Sequence, residues 1–121
     1  MNSPSEEVDS TLAGLRAVRA LIEDPARWCQ GSWAKDAAGQ GVDEESPTAC
    51  RWCLDGAALK VSRHTARMHG DLWNVLSRAA KDLGYVGHMA LNDEADHATV
   101  LRCIDLAISQ TDISTPLEDQ S

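Results

Sequence analysis

Apolar side chains recur every three or four positions in four stretches of the chain, and that spacing predicts four helices. In the first, Asp9–Asp24, the stripe is Leu12, Leu15, Val18, Leu21 and Ile22. Asp9 or Ser10 can cap its start, and Pro25 ends it, because the residue before a proline is pushed out of the α region. The second is predicted over Pro47–Ser62. Ser46-Pro47 supplies a cap followed by proline at the first helical position. Cys50, Cys53, Ala57 and Val61 then fall on one stripe, with Trp52, Gly56 and Leu59 beside it. The third runs from His69 to Leu83 with Leu72, Trp73, Val75, Leu76, Ala79 and Ala80 inward, and Gly84 stands where a left-handed cap belongs. In the fourth, capped by Asn92 or Asp93 and ending near Gln110, Val100, Leu101, Ile104, Ala107 and Ile108 face the core.

Between these stretches the periodicity lapses. Residues 25–46 read as a long loop between helices 1 and 2, with a short helical turn at Ser32–Ala37 and with Trp28 and Trp33 to pack it. Loops of this length in small domains are uncommon and are either functional or packed by their own side chains. "YVGHMAL" (85–91) reads as an extended connection. The pattern gives an all-α fold: one compact domain of about four helices over residues 9–110, with disordered termini at 1–8 and 111–121. Trp28, Trp52 and Trp73 are expected in the core or anchoring loops.

Composition narrows this picture. The 121 residues suit a single domain, and with four Trp, one Tyr and no Phe the core must be largely aliphatic. The net charge of −8 is uneven: about −5 over residues 1–49, +3 over 50–82 and −6 over 83–121. So acidic a chain repels phosphate backbones, which argues against nucleic-acid binding. The basic middle (Arg51, Lys60, Arg63, Arg67, Arg78 and Lys81) is expected to pair with the acidic flanks. No secretory leader follows Met1 and no apolar run approaches a membrane span, so a cytoplasmic location is expected. Thiols stay reduced there, and the four Cys are not read as a disulfide framework.

Cys50 and Cys53 form a C-x-x-C. As half of a zinc site it would draw on His64 and His69, or on Cys29 and Cys103. The gap to His64 is short for a zinc finger, and the pair reads as helical rather than as a hairpin. No βαβ pattern supports a redox pair. Core packing is the favoured reading, since Cys behaves as a small hydrophobe. No metal and no cofactor is expected. No nucleotide, hydrolase or calcium motif of the common kinds occurs.

The series "LIEDPARWCQG", "RWCLDGAAL" and "LNDEADHATVLRCIDLAI" resembles a family of short bacterial and phage proteins classed as a domain of unknown function. That family shows W-x-Q-G, W-C-x-x-G-A and N-D…H-x-x-V-L-x-x-x-D-x-A-I motifs, and the match spans roughly residues 12–108. Carried over by position, the resemblance marks Trp28, Gln30, Gly31, Trp52, Cys53, Gly56, Ala57, Asn92, Asp93, His97, Val100 and Asp105. Of these, Trp28, Gln30, Trp52, Cys53, Asn92, Asp93 and His97 are the candidate binding residues. Cys29, Cys50 and Cys103 fall outside the pattern. The resemblance implies no activity.

A Cys53–His97 nucleophile pair, oriented by Asp93 or Asn92, is the sharpest enzymatic arrangement available. A mid-helix Cys on an apolar stripe argues against it, so no catalytic residue is assigned. What remains is a non-catalytic, acidic, helical protein-interaction module, a phage-type inhibitor or regulator among its forms. Its partner is an unidentified protein, with a basic one favoured by charge. No nucleic acid or membrane is expected as a partner, and both monomer and homodimer stay open.

Overall fold

A computed structural model describes residues 4–63 and 65–112. Helix α1 spans Pro4–Ile22 and buries Leu12, Leu15, Val18 and Ile22, four of the five positions its periodicity selected. Asp24 then accepts a hydrogen bond from the amide of Ala26 (2.9 Å) and caps a 3-10 turn over Pro25–Arg27, so the chain turns where the proline predicts.

The segment that follows corrects the all-α expectation. Strands β1 (Ala34–Lys35), β2 (Gly41–Val42) and β3 (Arg51–Trp52) form an antiparallel sheet in the order β2-β1-β3, with Ala34 opposite both Val42 and Trp52. Ser32–Ala37 therefore contains a strand and not a helical turn. The sheet exists because local polar side chains close its turns. Asp36 Oδ1 accepts from the amides of Ala38 and Gln40, each at 2.9 Å, and reverses the chain between β1 and β2. The buried Trp52 indole donates to the carbonyl of Glu44 (3.0 Å) and pins the connection into β3.

Ser46-Pro47 does not open a helix. The Ser46 carbonyl accepts from the Ala49 amide (3.0 Å) in a turn, and the Cys50 amide pairs with the Lys35 carbonyl (2.9 Å) beside the sheet. Helix α2 thus begins only at Leu54 and ends at Ser62. Cys50 lies outside it and Cys53 is its N-cap rather than a mid-helix residue. The C-cap, Arg63, is left-handed at φ 54°, a conformation that is costly for a side chain with a Cβ.

Helix α3 (Ala66–Asp82) buries Leu72, Leu76, Ala79 and Ala80. Gly84 (φ 98°) closes it as the sequence predicts, with Tyr85 N–H on the Ala80 carbonyl and Gly84 N–H on the Lys81 carbonyl, both at 3.0 Å. Trp73 lies on the outer side of α3 and is 40% exposed, which corrects its assignment to the core. The expected extended connection is also half wrong, since His88–Glu94 forms a short helix, α4. Asn92 and Asp93 belong to the end of α4 and do not cap the next helix. Asp96 does, accepting from the Thr99 amide at 2.9 Å, and α5 runs His97–Thr111.

Among the described residues there are thus five α-helices and one small sheet. Helices α1, α2, α3 and α5 enclose an aliphatic core that takes in Cys103 and the Trp52 ring. No helix among them is long and apolar enough to cross a membrane. Of the tails expected to be disordered, residues 1–3 and 113–121 lie outside the described residues, but 4–8 belong to α1, so that neither Asp9 nor Ser10 caps it, and Thr111 belongs to α5.

Candidate functional site

Most sequence-marked residues converge where the turn after α1 meets the end of α4. Asn92, almost fully buried, uses all its hydrogen-bonding capacity there. Its Oδ1 accepts from the Trp28 indole (2.7 Å) and the Leu54 amide (2.9 Å), and its Nδ2 donates to the Cys29 carbonyl (3.1 Å) and to Asp93 Oδ1 (3.3 Å). Gln30 Nε2 donates to the carbonyls of Asn92 (2.9 Å) and Ala95 (3.1 Å), and Asp93 Oδ1 accepts from the Gly31 amide (3.1 Å). His97 donates from Nε2 to the Ile22 carbonyl (2.7 Å) and packs its ring on Trp28, centroids 5.4 Å apart. One asparagine therefore joins three segments: the loop at 28–31, the start of α2 and the end of α4. W-x-Q-G and N-D form a clasp in which Trp28, Gln30, Asn92, Asp93 and His97 are brought together. Trp52 keeps its indole on the Glu44 carbonyl, while its own carbonyl accepts from the Cys29 amide (3.1 Å) and ties β3 to the same loop.

The W-C-x-x-G-A motif is explained by the next contact. The Cys53 amide donates to the Trp33 carbonyl (3.1 Å), and Cys53 Sγ accepts from the Gly56 amide (3.2 Å). The Trp33 carbonyl lies so near α2 that a Cβ on Gly56 would stand 1.9 Å from its oxygen. Only glycine fits at 56 without a backbone shift.

Cys53 is buried, and desolvation pushes its thiol up to about 12 despite the Gly56 amide that favours the thiolate. Cys103, buried in the core, is likewise pushed up to about 12 by desolvation. Burial raises the Cys29 thiol as well. These are packed thiols, not activated ones. His97 is committed to Ile22 and Trp28, so the Cys53–His97 pair does not form. His64 lies outside the described residues, and His69 is engaged elsewhere. Among the described residues no group of three or more His, Cys, Asp or Glu is placed to hold a metal ion.

A second polar network was not legible in the sequence. Asp55, in the first turn of α2, is buried. Its Oδ1 lies 2.9 Å from His88 Nε2 and 3.1 Å from His69 Nε2, and His88 Nδ1 lies 2.9 Å from Ser77 Oγ. Burial alone would raise the Asp55 carboxyl, but hydrogen bonds and charge from His88, and then from His69, hold it below its ordinary value. An ionised carboxylate only accepts, so each histidine donates from Nε2. Trp73 sets its ring edge-on to His88 at 4.5 Å. No spacing signal links Asp55, His69, Ser77 and His88. His88 sat in a stretch read as extended, and the tertiary fold alone assembles the four.

Two cavities adjoin this network. The smaller, about 240 Å³, reaches Asp55 and is walled by Trp33, Cys53, Met89 and Asn92. The larger, about 540 Å³, reaches Ser77 and His88 and is walled by Trp73, Arg78, Lys81 and Met89. Met89 belongs to both. Trp33, Trp73, Val86 and Met89, the large apolar side chains most exposed among the described residues, all line one cavity or the other.

No curated protein and no solved structure matches the chain. A family of unknown function, DUF6197, matches residues 7–110, a span that holds every helix from α2 to α4, the sheet, the clasp and both cavities, and the chain belongs to that family.

Proposed function

We propose that the chain is a recognition module that binds a protein partner through the face centred on Met89. The observation that carries this reading is the gathering of Trp33, Trp73, Val86 and Met89 around two adjoining cavities. Exposed apolar patches rimmed by polar groups mark interaction sites in soluble proteins, and Trp is enriched among the residues that dominate binding energy. The clasp supports the same division of labour, since Trp28, Gln30, Asn92 and His97 are consumed in holding segments together. The net charge of −8 favours a basic partner by steering its approach. Four free cysteines suit a reducing cytoplasm, and a regulator or inhibitor in bacterial or phage biology is the role that fits.

The test is affinity capture from a lysate with three baits: the wild type, Met89→Glu, and Ala13→Lys on the exposed side of α1. A partner that both the wild type and Ala13→Lys retain and Met89→Glu loses supports the reading. A partner retained equally by all three places recognition on another surface.

A further inference from the structure

The network of Asp55, His88 and Ser77 joins the buried first turn of α2 to the larger cavity. Asp55 accepts at Oδ1, so His88 carries its proton on Nε2. In its neutral form with Nε2–H the imidazole has a lone pair at Nδ1, which can accept from Ser77 Oγ–H 2.9 Å away. Serine, imidazole and carboxylate are therefore in the order, and at the separations, of a nucleophile, its general base and the group that orients the base. Ser77 is half-buried and lines the larger cavity together with the edge of the buried His88, while buried Asp55 reaches only the smaller one. His69 and the edge-on Trp73 ring fix the other two sides of the pair.

We propose that Ser77 is the nucleophile of an acyl-hydrolase site in which His88 is the general base and Asp55 holds the histidine in position. The substrate class is a small carboxylic ester bearing a negative charge. A cavity of about 540 Å³ is of the size that small-molecule sites have. Trp73 and Met89 offer an apolar wall to the acyl chain. Arg78 and Lys81 line the same cavity and have no ion-pair partner among the described residues, so they can receive an anionic group and the charge that develops on the carbonyl oxygen.

The chemistry closes without a cofactor. Ser77 Oγ bonds to the ester carbonyl carbon as its proton passes to His88 Nδ1, and the imidazolium is stabilised by Asp55. The tetrahedral oxyanion collapses, the bond from carbon to the alkoxy oxygen breaks, and that oxygen leaves with the proton from His88 Nδ1. Water then adds to the acyl carbon and gives a proton to His88. Ser77 Oγ departs with that proton, releasing the carboxylic acid. The net reaction is ester and water to acid and alcohol, with no change of oxidation state.

This goes beyond the binding role and does not rest on it, since partner capture and the assay below can fail separately. The full chain is treated with an alkyl fluorophosphonate, followed by intact mass and peptide mapping, and assayed for hydrolysis of 4-nitrophenyl hydrogen succinate and 4-nitrophenyl butyrate. The expected result is one adduct per chain, on Ser77, and faster turnover of the succinate ester. Ser77→Ala abolishes the adduct, and His88→Gln lowers turnover by about 10²–10⁴-fold, the range of general-base catalysis. Ser77→Cys keeps a nucleophile beside His88 and moves labelling from the fluorophosphonate to iodoacetamide, which covers the case in which Ser77→Ala fails to fold. No adduct on the folded wild type, an adduct elsewhere, or turnover that survives Ser77→Ala overturns the proposal and leaves the three groups as a tie between helices.

Discussion

Replacing Asn92 by alanine isolates the contribution of the clasp. The substitution removes Oδ1, which accepts from the Trp28 indole and the Leu54 amide, and Nδ2, which donates to the Cys29 carbonyl. Three polar groups lose their partner at a site where Asn92 is only 2% exposed. Each orphaned buried group costs about 1–3 kcal/mol. Some of that is recovered as water enters from the adjoining cavity, so a total of about 4 kcal/mol is expected. Against a typical domain stability of about 5–15 kcal/mol this is a large fraction, and it lowers Tm by about 15–20 °C. Urea unfolding followed by Trp fluorescence measures it as a fall in midpoint at constant slope. Gln30→Ala is the control. Its amide reaches carbonyls at the rim, where water can replace it, so it costs only about 1 kcal/mol. A loss below about 1 kcal/mol for Asn92→Ala would refute the clasp as a stabilising unit.

Further outcomes follow from the same contacts. Gly56→Ala in a helix would ordinarily gain about 0.5–1 kcal/mol, but here the new Cβ meets the Trp33 carbonyl oxygen at 1.9 Å. A net loss of about 1–3 kcal/mol is expected from the forced backbone shift, and thermal unfolding decides the sign. Asp55 titrates below its ordinary value because His88 and His69 hold the carboxylate. Its contribution is therefore fully present above about pH 4, the unfolded value, and is lost as pH falls through the lower folded value. Asp55→Asn should accordingly flatten the acid limb of a stability–pH curve, and an unchanged limb would contradict this. Iodoacetamide at neutral pH should modify Cys50, the one cysteine not buried, before Cys29, Cys53 and Cys103, which react only on unfolding. Peptide mapping before and after denaturation reads this order.

What the sequence made legible follows from the range of the forces involved. The cores of α1, α3 and α5 were readable because burial repeats at helical spacing along one segment: Leu12, Leu15, Val18 and Ile22 lie at 0–6% exposure. The Gly84 cap was readable because a left-handed residue is a local demand. The sheet was not, since each strand is two residues long and is defined by partners elsewhere in the chain. Ser46-Pro47 misled because its turn chemistry resembles a helix start, and the Cys50–Cys53–Ala57 stripe continued in phase across a boundary set by the Cys50–Lys35 ladder bond. Asn92 was marked by the motifs but read as a cap, because an Asn beside acidic residues satisfies that rule while its actual partners lie 38 and 64 positions away. Asp55, His88 and Ser77 come from three helices and share no spacing, so only the folded chain reveals them.

The four tryptophans allow the most direct test, because the division between the structural clasp and the proposed binding face sorts them into pairs. The Trp28 and Trp52 indoles donate to Asn92 Oδ1 and the Glu44 carbonyl, whereas Trp33 and Trp73 are 52% and 40% exposed beside the cavities. Four indole N–H signals in a ¹H–¹⁵N spectrum, assigned by single Trp→Phe variants and titrated with the captured partner, report on each. The Trp33 and Trp73 signals are expected to shift on binding while those of Trp28 and Trp52 stay in place and exchange slowly with solvent. Shifts confined to Trp28 and Trp52 would contradict it and make the clasp itself the binding site.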